Sequence, residues 1–230
     1  MKVAALIPAA GSGKRMGGGT EKQFLYLGSK PLLAYTLERF QQCEVIDEIY
    51  IILPQGKMTF CEDEIVKRYA FSKVKELIAG GERRQDSVYY GLKAVKPDTM
   101  IVVIHDGVRP FIEESLIRHV IEAAREWGAA IAALPEQDTI KEVTQDQFVS
   151  QTIDREKIWR VQTPQAFHYP LLWKAFEKAM SCGYYGTDEA YLIEQIGHPI
   201  KIVGGSPFNI KVTTPDDLVL GEAILQAQKR

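Results

Sequence analysis

Val3-Ala4-Ala5-Leu6-Ile7 runs directly into Pro8-Ala9-Ala10-Gly11-Ser12-Gly13-Lys14-Arg15-Met16. The first five residues read as a strand that is apolar on both faces, and the glycines and small residues after it read as a loop. The same rhythm continues outward from this stretch. Ile49–Leu53, Val74–Ile78, Met100–His105, Ala129–Leu134 and Ile200–Val203 also read as short strands. Leu32–Gln42, Thr59–Tyr69, Gln85–Ala94, Glu113–Trp127 and Leu171–Met180 carry helical spacing between them. Strands that are apolar throughout and alternate with helices predict an α/β, Rossmann-like, mostly parallel sheet with helices on both faces. Ligands on such sheets bind beyond the carboxyl ends of the strands, so the residues after each strand are the first candidates for a site.

The chain has 230 residues, with 28 Lys and Arg against 30 Asp and Glu, a net charge of −2. Apolar residues make up 46% and charged residues 25%, the balance of an ordinary globular protein. That charge excludes a polycation built to coat nucleic acid, so no nucleic-acid partner is expected. No apolar run approaches the roughly 20 residues of a membrane span, and the apolar N-terminal stretch is too short for a signal-peptide core. Cys43, Cys61 and Cys182 show neither disulfide-framework nor zinc spacing. The expectation is a soluble cytoplasmic protein with no membrane partner. No repeat or linker divides the chain, so 1–230 is read as one domain. One insertion breaks the alternation: 138–155 reads as two alternating strands around the polar turn Thr144–Gln147. Such a β-hairpin is either a surface flap or an arm gripping another subunit, and the arm is the preferred reading.

The loop after the first strand invites two familiar motifs, and both fail. A phosphate loop of the Walker type needs Ser or Thr after Gly-Lys, where this chain has Arg15. The dinucleotide fingerprint needs a third glycine where Met16 stands, and an acid after the second strand where Leu53-Pro54-Gln55 stands. What remains is a glycine loop whose backbone N–H groups, at Gly11 and Gly13 among others, can line an anion site. Arg15, and Lys22 beyond Gly17-Gly18-Gly19, could fold over a triphosphate and neutralise charge during transfer. A solvated loop with incidental charges is the competing reading.

Ala9–Met16 followed by Lys22-Gln23-Phe24 resembles the signature loop of sugar-phosphate nucleotidylyltransferases. More narrowly it resembles the 2-C-methyl-D-erythritol 4-phosphate cytidylyltransferases, the CTP-using family of the non-mevalonate isoprenoid pathway. The resemblance continues through Gly80-Gly81-Glu82-Arg83-Arg84-Gln85-Asp86-Ser87-Val88, His105-Asp106-Gly107-Val108-Arg109-Pro110 and Asp138-Thr139-Ile140-Lys141. Gln162-Thr163-Pro164-Gln165, Thr187-Asp188-Glu189 and Ile210-Lys211-Val212-Thr213 complete it in the family's order.

Asp106 ends a hydrophobic strand on the ligand-binding edge of the sheet, where a carboxylate suits Mg²⁺. Its alternative use, capping the helix near Glu113, is weakened by the seven residues between them. The resemblance places Asp106 on the Mg²⁺ that accompanies CTP. It also places Pro8, Ala9, Ala10, Gly81, Glu82, Ser87 and Gly107 around the cytosine nucleotide, with Gly107 standing where alanine is common. Arg109, Arg155 and Lys211 are candidate cations for a second phosphate, with Thr139, Thr163 and Thr187 as hydroxyl donors. Each could instead be a surface charge or a turn residue. The resemblance implies that Thr139 and Arg155 of one subunit complete a methylerythritol-phosphate pocket on the other, in a homodimer built through the β-arm.

His105, His119, His168 and His198 lack metal-ligand spacing, and no nucleophile elbow is present, so no covalent intermediate is expected. Trp159, Phe167 and Trp173 read as core rather than as a stacking platform. The implied reaction joins CTP and 2-C-methyl-D-erythritol 4-phosphate, releasing pyrophosphate, with Arg15, Lys22, Arg155 and Lys211 as its cations. Two rivals stand beside it: a ribitol-5-phosphate cytidylyltransferase and a non-catalytic CTP-binding protein of the same fold.

Overall fold

The computed structural model of the chain describes residues 2–11 and 21–228. β1 (Lys2–Pro8) is followed by a 3-10 turn at Lys22–Phe24 and a small antiparallel pair, β2 (Tyr26–Leu27) and β3 (Lys30–Pro31). Strands and helices then alternate: α1 (Leu32–Gln42), β4 (Glu48–Leu53), α2 (Met58–Cys61), β5 (Val74–Ala79), α3 (Arg84–Ala94), β6 (Thr99–Ile104) and α4 (Glu114–Trp127). Next come β7 (Ala129–Pro135), the hairpin strands β8 (Ile140–Val143) and β9 (Val149–Ile153), and the long β10 (Trp159–His168). The chain finishes with α5 (Tyr169–Cys182), α6 (Glu189–Gln195), β11 (Lys201–Gly204) and α7 (Pro215–Ala227).

Seven strands form one sheet in the order β11-β7-β10-β6-β1-β4-β5. β1 pairs parallel to both β4 and β6, and β4 parallel to β5. The expected α/β, mostly parallel architecture is therefore the one observed. Val3 to Ile7 are completely buried, and the two-residue period divides them between the faces. Val3, Ala5 and Ile7 join one core cluster with α1 and α4, while Ala4 and Leu6 join another with α3 and α5. At about 1.5–3 kcal/mol for each fully buried large apolar side chain, this two-sided burial is what holds the sheet centre rigid. A third cluster, Leu27, Leu32, Phe111, Val212 and Ile224, ties α7 to the region around β2.

Helix ends follow local chemistry. Gly128 ends α4 at φ 82° and Gly183 ends α5 at φ 69°, a region where a Cβ would be strained. Thr214 caps α7, accepting from the Asp217 N–H, and Pro215 occupies the first helical position.

Two features depart from the sequence reading. Thr59–Tyr69 is not one helix: α2 stops at Cys61 and a π-helical stretch, Glu62–Lys67, follows. β10 is not among the strands read from the sequence; the polar run Gln162-Thr163-Pro164-Gln165 interrupts its apolar pattern. It runs antiparallel between β6 and β7, and its register against β7 shifts between Val161 and Gln165. Pro164, which has no N–H to give a ladder, sits inside that shift. Phe167 is fully buried and Trp173 packs on the same cluster, whereas Trp159 is exposed rather than core.

The hairpin pairs Ile140 with Ile153 and Val143 with Val149. Both limbs are largely exposed, with Phe148 at 73% and Val149 at 60%.

Candidate functional site

Parallel strands that diverge to opposite sides of β1 leave a crevice at their carboxyl ends. The cleft found there is about 350 Å³ and is lined by Pro8–Gly11 after β1, Gly81–Arg84 and Ser87 after β5, and Asp106 and Val108 after β6. Lys22, Gln23 and Lys211 close its remaining sides. Its lining carries Lys22, Arg83, Arg84 and Lys211 against Glu82 and Asp106, so positive charge is in excess, as an anionic ligand requires.

Backbone contacts fix the walls. The Ala9 N–H donates to the Ile52 carbonyl at 2.7 Å, and the Gly107 N–H to the Pro8 carbonyl at 3.1 Å. At Gly80 a Cβ would collide with the Ala10 side chain and lie 2.9 Å from Ser87 Oγ, so the turn closes only with glycine there. Ser87 Oγ accepts from the Gly81 N–H at 3.1 Å and donates to the Arg83 carbonyl at 3.0 Å. Its hydroxyl therefore shapes the glycine turn from within.

Asp106 is the charged centre. Its Oδ2 receives Lys211 Nζ at 2.9 Å and Arg109 Nε at 3.3 Å, and its Oδ1 faces Arg84 Nε at 3.7 Å. Burial alone would raise the Asp106 pKa. Lys211, Arg84 and Arg109 outweigh it and hold the carboxyl well below the usual carboxylate range. Burial lowers the Arg109 pKa, and Asp106 only partly restores it.

A chain of buried polar groups sets the Asp106 backbone in place. The Asp106 N–H donates to Thr163 Oγ1 at 3.1 Å, and that hydroxyl lies 3.1 Å from His105 Nδ1. His105 Nε2 lies 3.2 Å from the Arg109 carbonyl. One proton arrangement satisfies all three: the hydroxyl donates to Nδ1 and Nε2–H donates to the carbonyl, which makes His105 neutral. Burial accordingly lowers the His105 pKa to about 4. Asn209, fully buried, donates from Nδ2 to the Thr163 carbonyl at 2.7 Å, and its own carbonyl accepts from Arg109 Nη1 at 2.7 Å. The register shift in β10 thus serves the site, because it turns Thr163 toward His105 and Asp106.

The structure brings Pro8, Ala9, Ala10, Gly11, Lys22, Gly81, Glu82, Ser87, Asp106 and Lys211 into one cleft, with Gly107, Arg109 and Thr163 in the shell behind Asp106. Gly13 and Arg15 lie outside the described residues. Thr139 and Arg155 stand at the exposed base of the hairpin, away from the cleft lining, and Arg155 Nη1 donates to the Gln137 carbonyl at 2.7 Å. Thr187 is also exposed, one residue before Asp188, which accepts from Gln165 Nε2 at 2.8 Å. Arg84, Asn209 and the His105 ring were not singled out from the sequence. Arg84 had a signal, a cation at the start of the helix after a glycine pair. Among the described residues no group of three or more His, Cys, Asp or Glu side chains could hold a metal, and no helix is long and apolar enough to cross a membrane.

Comparison with known proteins gives a consistent result. The chain matches the family model described as IspD: 2-C-methyl-D-erythritol 4-phosphate cytidylyltransferase over residues 3–227. It is 50% identical over 228 residues to the 2-C-methyl-D-erythritol 4-phosphate cytidylyltransferase of Syntrophus aciditrophicus, covering 99% of this chain and 97% of that one. It is similar to the crystal structure of 4-diphosphocytidyl-2C-methyl-D-erythritol synthase from Anaerococcus prevotii, with a TM-score of 0.88 at 32% identity, covering 98% and 96% of the two chains. The 2-C-methyl-D-erythritol 4-phosphate cytidylyltransferase structure from Thermus thermophilus gives a TM-score of 0.82 at 34% identity, covering 98% and 100%.

Proposed function

The chain belongs to the 2-C-methyl-D-erythritol 4-phosphate cytidylyltransferase family, and we propose how its residues divide the work of that CTP-dependent step in isoprenoid precursor synthesis. A phosphate oxygen of 2-C-methyl-D-erythritol 4-phosphate attacks the α-phosphorus of CTP. The bond from that phosphorus to the bridging oxygen breaks, giving 4-diphosphocytidyl-2-C-methyl-D-erythritol and pyrophosphate. The attacking oxygen is already anionic, so positioning and charge neutralisation suffice and no strong general base is needed. The observation that carries this reading is the cleft itself, which joins a glycine turn, the β1 loop and an excess of cations at the sheet's carboxyl edge.

Pro8, Ala9, Ala10, Gly81, Glu82 and Gly107 surround the cytosine nucleotide, with Ser87 holding the glycine turn in shape; Gly11 and Gly13 offer N–H groups to the triphosphate. Lys22 and Arg15 meet charge that appears in the transition state. Lys211, Arg109 and Thr187 serve the acceptor phosphate, while Thr163, sequence-matched to the same group, acts from behind by holding the Asp106 backbone. Mg²⁺ fits a site of this kind, since it takes one or two carboxylates and fills its shell with phosphate oxygens and water. Asp106 would hold it from the protein side, and the ion would neutralise the departing pyrophosphate.

We further propose one folded domain over 1–230 acting as a cytoplasmic homodimer through the arm at 138–155. An isolated hairpin is marginal in water, and the exposed Val143, Phe148 and Val149 give this one an apolar surface to cover. Thr139 and Arg155 would then act in the neighbouring subunit's cleft. Pyrophosphate release with CTP and either methylerythritol phosphate or ribitol 5-phosphate tests the reading. Turnover with ribitol 5-phosphate alone, or with neither, would overturn it.

A further inference from the structure

Cations outnumber acids in the cluster around Asp106. Arg84, Arg109 and Lys211 converge on a single carboxylate; among the described residues the one other acid within ion-pair distance of them is Glu189, which takes Arg84 Nη1 on Oε1 at 2.7 Å, with Asp188 acting on Arg84 from farther off. Within ion-pair distance three cations meet two anions, and the anions are the buried members, Asp106 at 9% and Glu189 at 1%, while Arg84 and Lys211 stay partly open to the cleft.

The two ends of the Arg84–Glu189 pair differ sharply. The Glu189 side chain is 1% exposed, beneath the cleft floor at the start of α6, and its Oε2 has no hydrogen-bond partner among the described residues. The Arg84 side chain is 31% exposed and lines the cleft at the start of α3. A guanidinium has five N–H donors in a rigid fork. Here Nη1 is anchored from below and Nε faces Asp106 from the side, so the fork is held in one orientation with its remaining face toward the cleft. A pair that served packing alone would have no reason to present its cation to the cleft while burying its anion.

We propose that Arg84 is a phosphate-binding residue of this cleft and that Glu189 is its positioning residue. The proposal rests on the cytidylyltransferase reading for the identity of the phosphate. Arg84 begins the helix that follows the glycine turn, and its side chain shares Asp106 with Lys211, the cation assigned above to the acceptor phosphate. Its ligand is therefore the phosphomonoester of the acceptor polyol. Arrival of that dianion lets Arg84 and Lys211 turn from Asp106 to the substrate.

The test is steady-state kinetics of Arg84→Ala, Glu189→Gln and the double variant, with thermal melting of each. Loss of a charge-assisted contact predicts that Arg84→Ala raises the KM for methylerythritol phosphate on the order of ten- to a hundred-fold. The KM for CTP should stay within about three-fold. Glu189→Gln keeps an acceptor for Nη1 but drops the charge, so it should raise the acceptor KM by a smaller factor and leave the CTP KM alone. In the double variant the Glu189 effect should vanish, because the residue it positions is gone. Should Arg84→Ala not fold, Arg84→Gln retains the reach to Glu189 without the cation, and the same KM pattern is expected. An acceptor KM within two-fold of the parent for a folded Arg84 variant would overturn the proposal, as would a Glu189→Gln penalty that persists in full without Arg84. Calorimetric titration with inorganic phosphate separates this from failure of the reaction itself. If the parent protein transfers no CMP yet binds phosphate, weaker binding by the Arg84 variant still supports the site, and equal binding refutes it.

Discussion

Thr163→Val removes one hydroxyl and changes little else in side-chain volume. Thr163 is 4% exposed, and its hydroxyl serves two buried groups: the Asp106 N–H and His105 Nδ1, each at 3.1 Å. Orphaning a buried polar group costs about 1–3 kcal/mol, so two should cost about 2–4 kcal/mol after partial relaxation. Thr163→Ser keeps the hydroxyl and loses a methyl group, which predicts about 1 kcal/mol. Urea unfolding of the three proteins with a shared m-value measures both differences. Because the same hydroxyl positions the Asp106 backbone, the valine variant should also lose more activity than the serine variant. A valine variant within about 0.5 kcal/mol of the parent, or a serine variant the worse of the two, would show that the Asp106–Thr163–His105 chain does not hold the site.

The remaining expectations concern charge, space and assembly. His105 has a pKa of about 4 in the folded chain against an ordinary 6.5, so the unfolded chain binds more protons in that window and stability falls as pH drops from 6.5 toward 4. The loss should reach about 3 kcal/mol, and His105→Gln should flatten that part of the stability–pH curve; an unchanged slope would refute it. Lys22→Ala should lower kcat by about 10²–10³ with modest change in either KM, whereas Lys211→Ala should raise the acceptor KM more than the CTP KM. Gly80→Ala forces a methyl against Ala10 and Ser87, so the CTP KM should rise by about ten-fold while the acceptor KM moves little. Mixing Arg155→Ala and Lys22→Ala subunits should restore activity once mixed dimers are verified by native mass spectrometry, since one site would then be intact. A verified mixed dimer without recovery would place Arg155 in its own subunit's site.

Regular elements were legible where composition and period agreed. Val3–Ile7, all apolar, could only be a strand buried on two sides, and Leu32–Gln42 matches α1 end to end. The cleft's first ring was legible too, because the glycine loop, Gly80-Gly81 and Asp106 each follow a strand directly. What escaped was set by tertiary partners. β10 hides behind Pro164 and behind Gln162 and Thr163, whose polar side chains are buried only because His105, Asp106, Ser206 and Asn209 receive them. Arg84 looks like its exposed neighbour Arg83 in sequence, and two distant acids, Asp106 and Glu189, the latter 105 positions away, tell them apart. A one-dimensional pattern carries periodicity and local turn chemistry, but not which distant acid meets which cation.

Phosphorus NMR of the complete reaction tests the central claim most directly. With CTP, Mg²⁺ and methylerythritol phosphate, the spectrum should lose the phosphomonoester and nucleoside triphosphate signals together. The coupled doublets of a diphosphate diester and the signal of pyrophosphate should replace them in equal amounts. With the acceptor's phosphate oxygens labelled with ¹⁸O, the label should stay entirely in the diester and none should reach pyrophosphate, because the acceptor oxygen becomes the new bridge. Orthophosphate as the product, label in pyrophosphate, or an unchanged spectrum from folded enzyme would contradict CMP transfer by this cleft.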